Sequence, residues 1–432
     1  MFLYKGGSVS FLDIGSSKIS CILVQFDGDQ KPRILGYNCC ASHGIVSGII
    51  TDLYLLQSAI SECVSVVENQ SARKINKVHL SISNALLQSR YITTKPHILN
   101  KEVRVRDVYA IVTDALGEYS KDYSKVIHSF ILDYIVDGYK GISNPLGMHC
   151  TSLSCKMHTL TVSQNFLLNV NNCLNNLNIK IESYMSSTYC SALACLSKTE
   201  MEVGTIFVEF SGGYTSVSSF EKMQMTFCDT VLLGGINVTN DIAQGLAVTF
   251  ADAERLKSLY GAVVEANADK YEQINISSMS TTGSSYRREG NNMITRALLI
   301  QIIKARMEEI VMLLLKKLQN VKTDKMSRVV ITGGVANTAG IKELVEKSLA
   351  RTVRVCLKPQ FDCGNDLDEI DNYNYITVVG MMLHLYKNME QSSQSQFSSR
   401  SVLSRYMVDN WVKGDGIMRN IMQKLYDLLY KI

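Results

Sequence analysis

Apolar and polar positions fall into three arrangements along the chain. The first is a pair of apolar strands broken by a short polar turn. SVSFLDIGSSKISCILVQF, residues 8–26, predicts strand, turn and strand, with Asp13, Ile14, Gly15, Ser16, Ser17 and Lys18 at the turn. GTIFVEFSGGYTSVSSFE, residues 204–221, repeats it 196 residues on, with Glu209 in the place of Asp13 and Ser211, Gly212 and Gly213 turning into Tyr214 and Thr215. The second arrangement is a buried strand that ends in Gly333 and Gly334 and opens a helix, in SRVVITGGVANTAGIKELVEKSL, residues 327–349. The third is a one-faced helix at the chain end: Ile417, Met418, Ile421, Met422, Leu425, Leu428, Leu429 and Ile432 recur at three- and four-residue spacing.

Two similar hairpins suggest two related halves facing one ligand. In the first turn Gly15 lets backbone N–H groups converge, Ser16 and Ser17 add hydroxyls, Lys18 adds a cation, and Asp13 can hold magnesium through water. That chemistry grips phosphates. The glycines at 333 and 334 bring a third backbone segment close to a ligand at a helix N-terminus.

The terminal helix carries Arg419, Lys424 and Lys431 against Asp427 on its polar side, with Trp411, Tyr426 and Tyr430 as interface-seeking rings. Sixteen residues span roughly 24 Å at 1.5 Å per residue, so the helix is expected to lie flat on an anionic membrane surface rather than span it. By pattern alone it could equally dock on the protein's own core or in a partner's groove, and the polar stretch before it argues against self-docking. Burying its apolar face offers ~10 kcal/mol gross, most of it offset by ordering and incomplete immersion, which predicts weak, reversible binding. A Ser/Gln-rich stretch, NMEQSSQSQFSSRSVLSR at 388–405, reads as its tether.

Composition changes the picture little. A chain of 432 residues at 46% hydrophobic and 19% charged can bury more than one core. A net charge of +4 without a long basic run does not predict a nucleic-acid partner. Twelve scattered cysteines with no secretory leader read as reduced thiols in a cytoplasm, and no apolar run is long enough to span a bilayer. His149, Cys150, Cys155 and His158 are zinc-ligand types, but the segment alternates as a strand, which predicts Cys150 and Cys155 on opposite faces and no four-ligand cage.

The two hairpins and the later glycine turn resemble, in that order, the phosphate-1, phosphate-2 and adenosine motifs of the actin, DnaK-type chaperone and hexokinase superfamily. CASHGIVSGIITDL, ISNPLGMHCTSLSCKMHTLTV, LLGGINVTNDIAQGL, FADAERLKSLYGAV and YNYITVVGMMLHLYK narrow the resemblance to the bacterial cell-division actin homologue FtsA, over nearly the whole chain. The resemblance implies a two-lobed actin-like (ribonuclease H-like) α/β ATPase fold with an FtsA-type 1C subdomain and a C-terminal amphipathic helix. It implies subdomain 1A at 1–83 and 163–203, 1C at 84–162, 2A at 204–240 and 316–387 with a return to 1A, and 2B at 241–315. A flexible linker follows at 388–410 and a membrane-targeting helix at 411–432.

It also implies ATP and Mg2+ as cofactors. Asp13, Gly15, Ser16, Ser17 and Lys18 match phosphate-1; Ser211, Gly212, Gly213, Tyr214 and Thr215 match phosphate-2; Gly333, Gly334 and Val335 match the adenosine turn. Gly235, Thr239 and Asp241 would flank the nucleotide, and Glu254 with Lys257 would reach base and ribose. Asp13 and Glu209 would hold the metal through water. The implied partners are FtsZ, with Arg296 on the facing side, further copies of the chain in a filament, later division proteins at 1C, and the inner face of the cytoplasmic membrane at the division site. Trp411, Ile417, Met418, Ile421, Met422, Leu425, Leu428 and Leu429 would make the membrane contact.

Phosphate-2 departs from the family's Asp-Ile-Gly-Gly-Gly-Thr. Glu209 is one methylene longer, by about 1.5 Å, and Ser211 stands where positive φ would cost roughly 1 kcal/mol. With no evident water-positioning base, hydrolysis is expected to be slow or absent. The alternative is a type IV pilus assembly ATP-binder of the same superfamily, which has no need of an amphipathic terminus. A sugar-kinase reading conflicts with the NPLG-containing segment.

Overall fold

The computed structural model describes residues 7–26, 32–117, 124–266, 269, 271–275, 293–319, 321, 323, 326–360, 370 and 372–393. The amphipathic terminus and its membrane-contact residues lie outside these.

The chain builds one five-stranded plan twice. In the first lobe β1 (Ser8–Ile14), β2 (Lys18–Gln25) and β3 (Arg33–Ala41) form an antiparallel meander. A small hairpin, β4 (Ile45–Val46) and β5 (Ile49–Ile50), leads into α1 (Leu53–Ser71), whose start is capped by the Asp52 carboxylate accepting the Tyr54 and Leu55 N–H groups at 2.9 and 3.0 Å. Then β6 (Lys77–Ile82) joins parallel to β1. After an insertion and α3 (Gln164–Asn175), β12 (Lys180–Ser186) pairs parallel to β6, giving the order β12-β6-β1-β2-β3.

The crossing helix α4 (Ser187–Cys195) and short α5 (Lys198–Val203) lead to the second lobe. There β13 (Thr205–Phe210), β14 (Thr215–Glu221) and β15 (Gln224–Val231) repeat the meander. Helices α6 (Gly235–Leu246) and α7 (Phe250–Tyr260), the ribbon β16 (Gln273–Asn275) and β17 (Met293–Thr295), and α8 (Arg296–Leu318) follow. Then β18 (Arg328–Thr332), α9 (Ile341–Leu349) and β19 (Thr352–Val355) complete the order β15-β14-β13-β18-β19, with its last two pairings parallel. Helix α10 (Ile376–Ser393) returns to lie along α4, running six residues into the stretch read as a tether.

The insertion holds β7 (Gln88–Thr93), β8 (His97–Glu102), α2 (Val105–Gly117), β9 (Ser124–Val136), β10 (Tyr139–Ile142) and β11 (His149–Ser163). Its sheet runs β10-β9-β11-β7, with β8 on the first half of β11. Cys150 and Cys155 both enter its core, which corrects the expectation that they point opposite ways. A bulge between Cys150 and Ser152 breaks the alternation. Among the described residues all eleven cysteines are free and no cluster could hold a metal. His158 is buried between Ser89 and the Met225 carbonyl, at 2.8 and 3.0 Å.

Strands buried on both faces explain the continuous apolar runs: every residue of β13 is buried, as is all of β1 beyond Ser8. Separate cores fill the two lobes, and another, around Met185, Cys190, Val379 and Met382, joins them through α4 and α10. No helix among the described residues is long and apolar enough to cross a membrane.

Candidate functional site

The two glycine turns are one turn built twice. Asp13 pairs with Ser20 and Ile14 with Ile19 across β1 and β2; Glu209 pairs with Ser216 and Phe210 with Thr215 across β13 and β14. The Gly15 N–H donates to the Lys18 carbonyl at 2.9 Å, and the Ser211 N–H donates to the Tyr214 carbonyl at 3.0 Å. The turns also close on each other. A β-carbon on Gly212 would lie 2.6 Å from Ser17 Oγ, and one on Gly213 would lie 2.7 Å from Ser47 Cα. Glycine is needed here for close approach. Ser211 lies outside the left-handed region, so the strain expected of it is absent. The Gly48 N–H donates to Ser16 Oγ at 2.8 Å, so the β4–β5 hairpin backs the first turn.

Behind the turns sit two buried carboxylates. Asp13 receives the hydroxyls of Ser81 and Thr377. Glu209 Oε2 accepts from Thr188 Oγ1 at 3.0 Å, and Oε1 accepts from Ser191 Oγ at 2.8 Å. Burial pushes both carboxyls above their usual range, and their hydroxyl donors and Lys18 offset this only in part. Burial likewise pulls the Lys18 ammonium down, against the attraction of Asp13. Lys18 Nζ donates to the Tyr373 carbonyl at 3.0 Å and to Asn374 Oδ1 at 3.1 Å, ahead of α10. Two carboxylates against one ammonium make a donor set suited to a divalent cation.

The third turn closes the other side. Gly333 has φ 97°, and a β-carbon there would stand 2.1 Å from the Phe210 carbonyl oxygen. Lys257 Nζ donates to the Gly235 carbonyl at 3.2 Å, to Thr239 Oγ1 at 2.7 Å and to Glu254 Oε2 at 2.7 Å. Val335 Cγ2 is 3.0 Å from where a Gly235 β-carbon would be, and Gly334 faces the Tyr373 ring. Gly235, Thr239, Glu254, Lys257 and Val335 therefore form one cluster at the mouth of α6.

Other residues stand apart from it. Asp241 gives both oxygens to Arg306, at 2.6 and 2.8 Å, and so braces α6 against α8. Tyr214 is buried with its hydroxyl 3.1 Å from Ser187 Oγ, leaving only its backbone at the turn. The buried Thr215 hydroxyl donates to the Leu233 carbonyl at 2.8 Å. Arg296, implied by the resemblance to face a partner, is tied to the Tyr260 carbonyl at 3.2 Å, Glu272 at 3.0 Å and Asp269 at 3.4 Å. The hydroxyls of Ser81, Thr188, Ser191 and Thr377 were not legible as site residues; the Ser/Thr-rich entry to α4 was a signal for Thr188 and Ser191 alone.

The family model of cell division protein FtsA matches residues 207–380, and that of the SHS2 domain inserted in FtsA matches residues 85–161. The FtsA of Agrobacterium fabrum is 31% identical over 359 residues, covering 80% of each chain. The chain belongs to the FtsA family. The FtsA of Pseudomonas aeruginosa is 24% identical over 422 residues, covering 95% of this chain and 99% of that one. A chain of the PilM–PilN type IV pilus biogenesis complex shares the actin-like fold, with TM-score 0.60 and 13% identity over 87% of this chain and 98% of that one. That likeness is one of fold alone. In this FtsA-family chain the SHS2 match falls on the inserted sheet of β7 to β11. The actin-like ATPase fold implies a nucleotide with a divalent metal.

Proposed function

We propose that the chain binds ATP with Mg2+ between its lobes, polymerises, and anchors FtsZ to the inner face of the cytoplasmic membrane through its terminal amphipathic helix. The observation that carries the nucleotide part is the closure of two identically registered glycine turns on each other, with Gly333 beside them. Gly15, Ser16, Ser17 and Lys18 would cradle phosphates from one lobe, and Ser211, Gly212, Gly213 and Thr215 from the other. The cluster at Gly235, Glu254 and Lys257, with Gly334 and Val335, suits a ribose and base.

Magnesium would be drawn through water to the carboxylate pair of Asp13 and Glu209, whose joint charge Lys18 alone does not balance. When bound it would neutralise phosphate charge. The residues named above would bind and orient the nucleotide, and none of them is an evident water-positioning base, which favours slow or absent hydrolysis. Filament formation and FtsZ contact rest on family membership. Membrane contact rests on the sequence pattern at 411–432.

Titration of ATP into the full chain and into Lys18→Ala and Gly333→Asp tests the cleft. Weakened binding in both variants is expected; unchanged affinity in both would discard the assignment.

A further inference from the structure

The cleft floor holds a continuous ladder of buried hydroxyls and carboxylates that crosses from one lobe to the other. Ser81 on β6 donates to Asp13 on β1, and Thr377 on α10 also bonds Asp13. Thr377 Oγ1 lies 3.1 Å from Ser191 Oγ on α4, and Ser191 donates to Glu209 on β13 at 2.8 Å. Thr188 closes the far end, donating to Glu209 at 3.0 Å and lying 2.7 Å from Ser216 Oγ on β14, itself 3.5 Å from Glu209. Each of these residues is less than a tenth exposed.

The two carboxylates hold unequal places in this ladder. A carboxylate offers about four lone-pair positions. Hydroxyls from α4 and β14 occupy three of those of Glu209, while Asp13 carries only two, from Ser81 and Thr377; the Lys18 ammonium lies near both. The added methylene of Glu209 carries its carboxylate past the strand and onto the first turns of α4. An aspartate at 209 would fall about 1.5 Å short of those hydroxyls.

We infer that Glu209 is a positioning residue that anchors the crossing helix α4 to the second lobe, and that Asp13 alone orients the hydrated divalent cation from the first lobe. The cation part rests on the nucleotide and metal reading above; the anchor part does not. Glu209 supplies charge to the cleft without reaching into it, and its contacts with Ser191 and Thr188 tie α4 to β13. Through Thr377 the same ladder ties α10 to β1.

The experiment has two arms on the full chain. In the first, ATP affinity is measured with Mg2+ and with EDTA for the parent chain, Asp13→Asn and Glu209→Gln. The gain from Mg2+ is expected to fall by about tenfold or more in Asp13→Asn and by clearly less in Glu209→Gln, which removes charge behind the cation but no group that orients it. Loss of the gain in both variants would overturn the assignment of the cation to Asp13. In the second arm, melting of the nucleotide-free chain is followed for Ser191→Ala in the parent and in Glu209→Gln. Glutamine keeps the shape, and the serine hydroxyl can turn to meet its amide, so both proteins should fold. The melting temperature should fall more in the parent, where Ser191 serves a buried charge; equal falls would overturn the anchor. A parent chain that binds no ATP would refute the nucleotide reading and with it the cation part, while the second arm still decides the anchor.

Discussion

Gly380 on α10 faces the Cys190 carbonyl on α4 so closely that a β-carbon would stand 1.8 Å from that oxygen. This is where the two crossing helices meet, one helical turn from Thr377 on α10 and next to Ser191 on α4. Gly380→Ala is therefore expected to force the helices apart at a cost of about 1–3 kcal/mol or more, read as a lower urea midpoint. Because the carboxylate ladder runs through the same helices, ATP affinity should fall with it. An unchanged midpoint would show that the crossing tolerates separation.

Glycine at the turns and glycine elsewhere should behave differently. Gly213→Ala meets Ser47 Cα at 2.7 Å, so it should weaken ATP binding by separating the two turns. Gly138 has φ 85° but open space around it, so Gly138→Ala should cost about 1 kcal/mol of stability and leave ATP affinity alone. Isothermal titration and urea unfolding on both variants separate the two effects.

Acid sensitivity should trace in part to Glu200. Burial works against its ionisation, but Arg354, at 2.8 and 3.0 Å, and the Ser197 N–H, at 2.9 Å, hold its carboxyl below the usual range. A depressed folded value means the stabilisation is fully present above the unfolded pKa and is lost as pH falls through the folded one. Arg354→Met should cost about 2–3 kcal/mol near neutral pH and flatten the acid limb of the stability profile. A profile parallel to the parent's would refute the pairing as its source.

The parts of the fold that could be read in the sequence were local ones. Strand, turn and strand around Asp13 and Glu209 lie within about twenty residues, so burial on both faces and the glycine turn mark them directly. The DAERLK helix placed Glu254 and Lys257 one turn apart, and α7 brings both against Thr239. What escaped was long-range. Ser191 and Thr377 meet across 186 residues, and a serine or threonine on a helix has no periodic signature to announce a partner. Tyr214 and Asp241 match the motif by position, yet one turns its ring into the core and the other spends its charge on Arg306. Chain position fixed their backbones; packing from other elements fixed their side chains.

The proposed membrane role of residues 411–432 makes its own prediction. If the apolar face serves the bilayer, Leu428→Glu should lower affinity for anionic vesicles while leaving the melting temperature unchanged. A lower melting temperature would mean that the helix packs on the protein itself.

The most direct test of the tether is co-sedimentation of the full chain with FtsZ polymers and anionic vesicles, with and without ATP, beside a chain lacking Trp411 to Ile432. Recruitment of FtsZ to vesicles by the full chain, lost in the shortened one, is the predicted result. Vesicle binding with no recruitment of FtsZ under either condition would contradict the account.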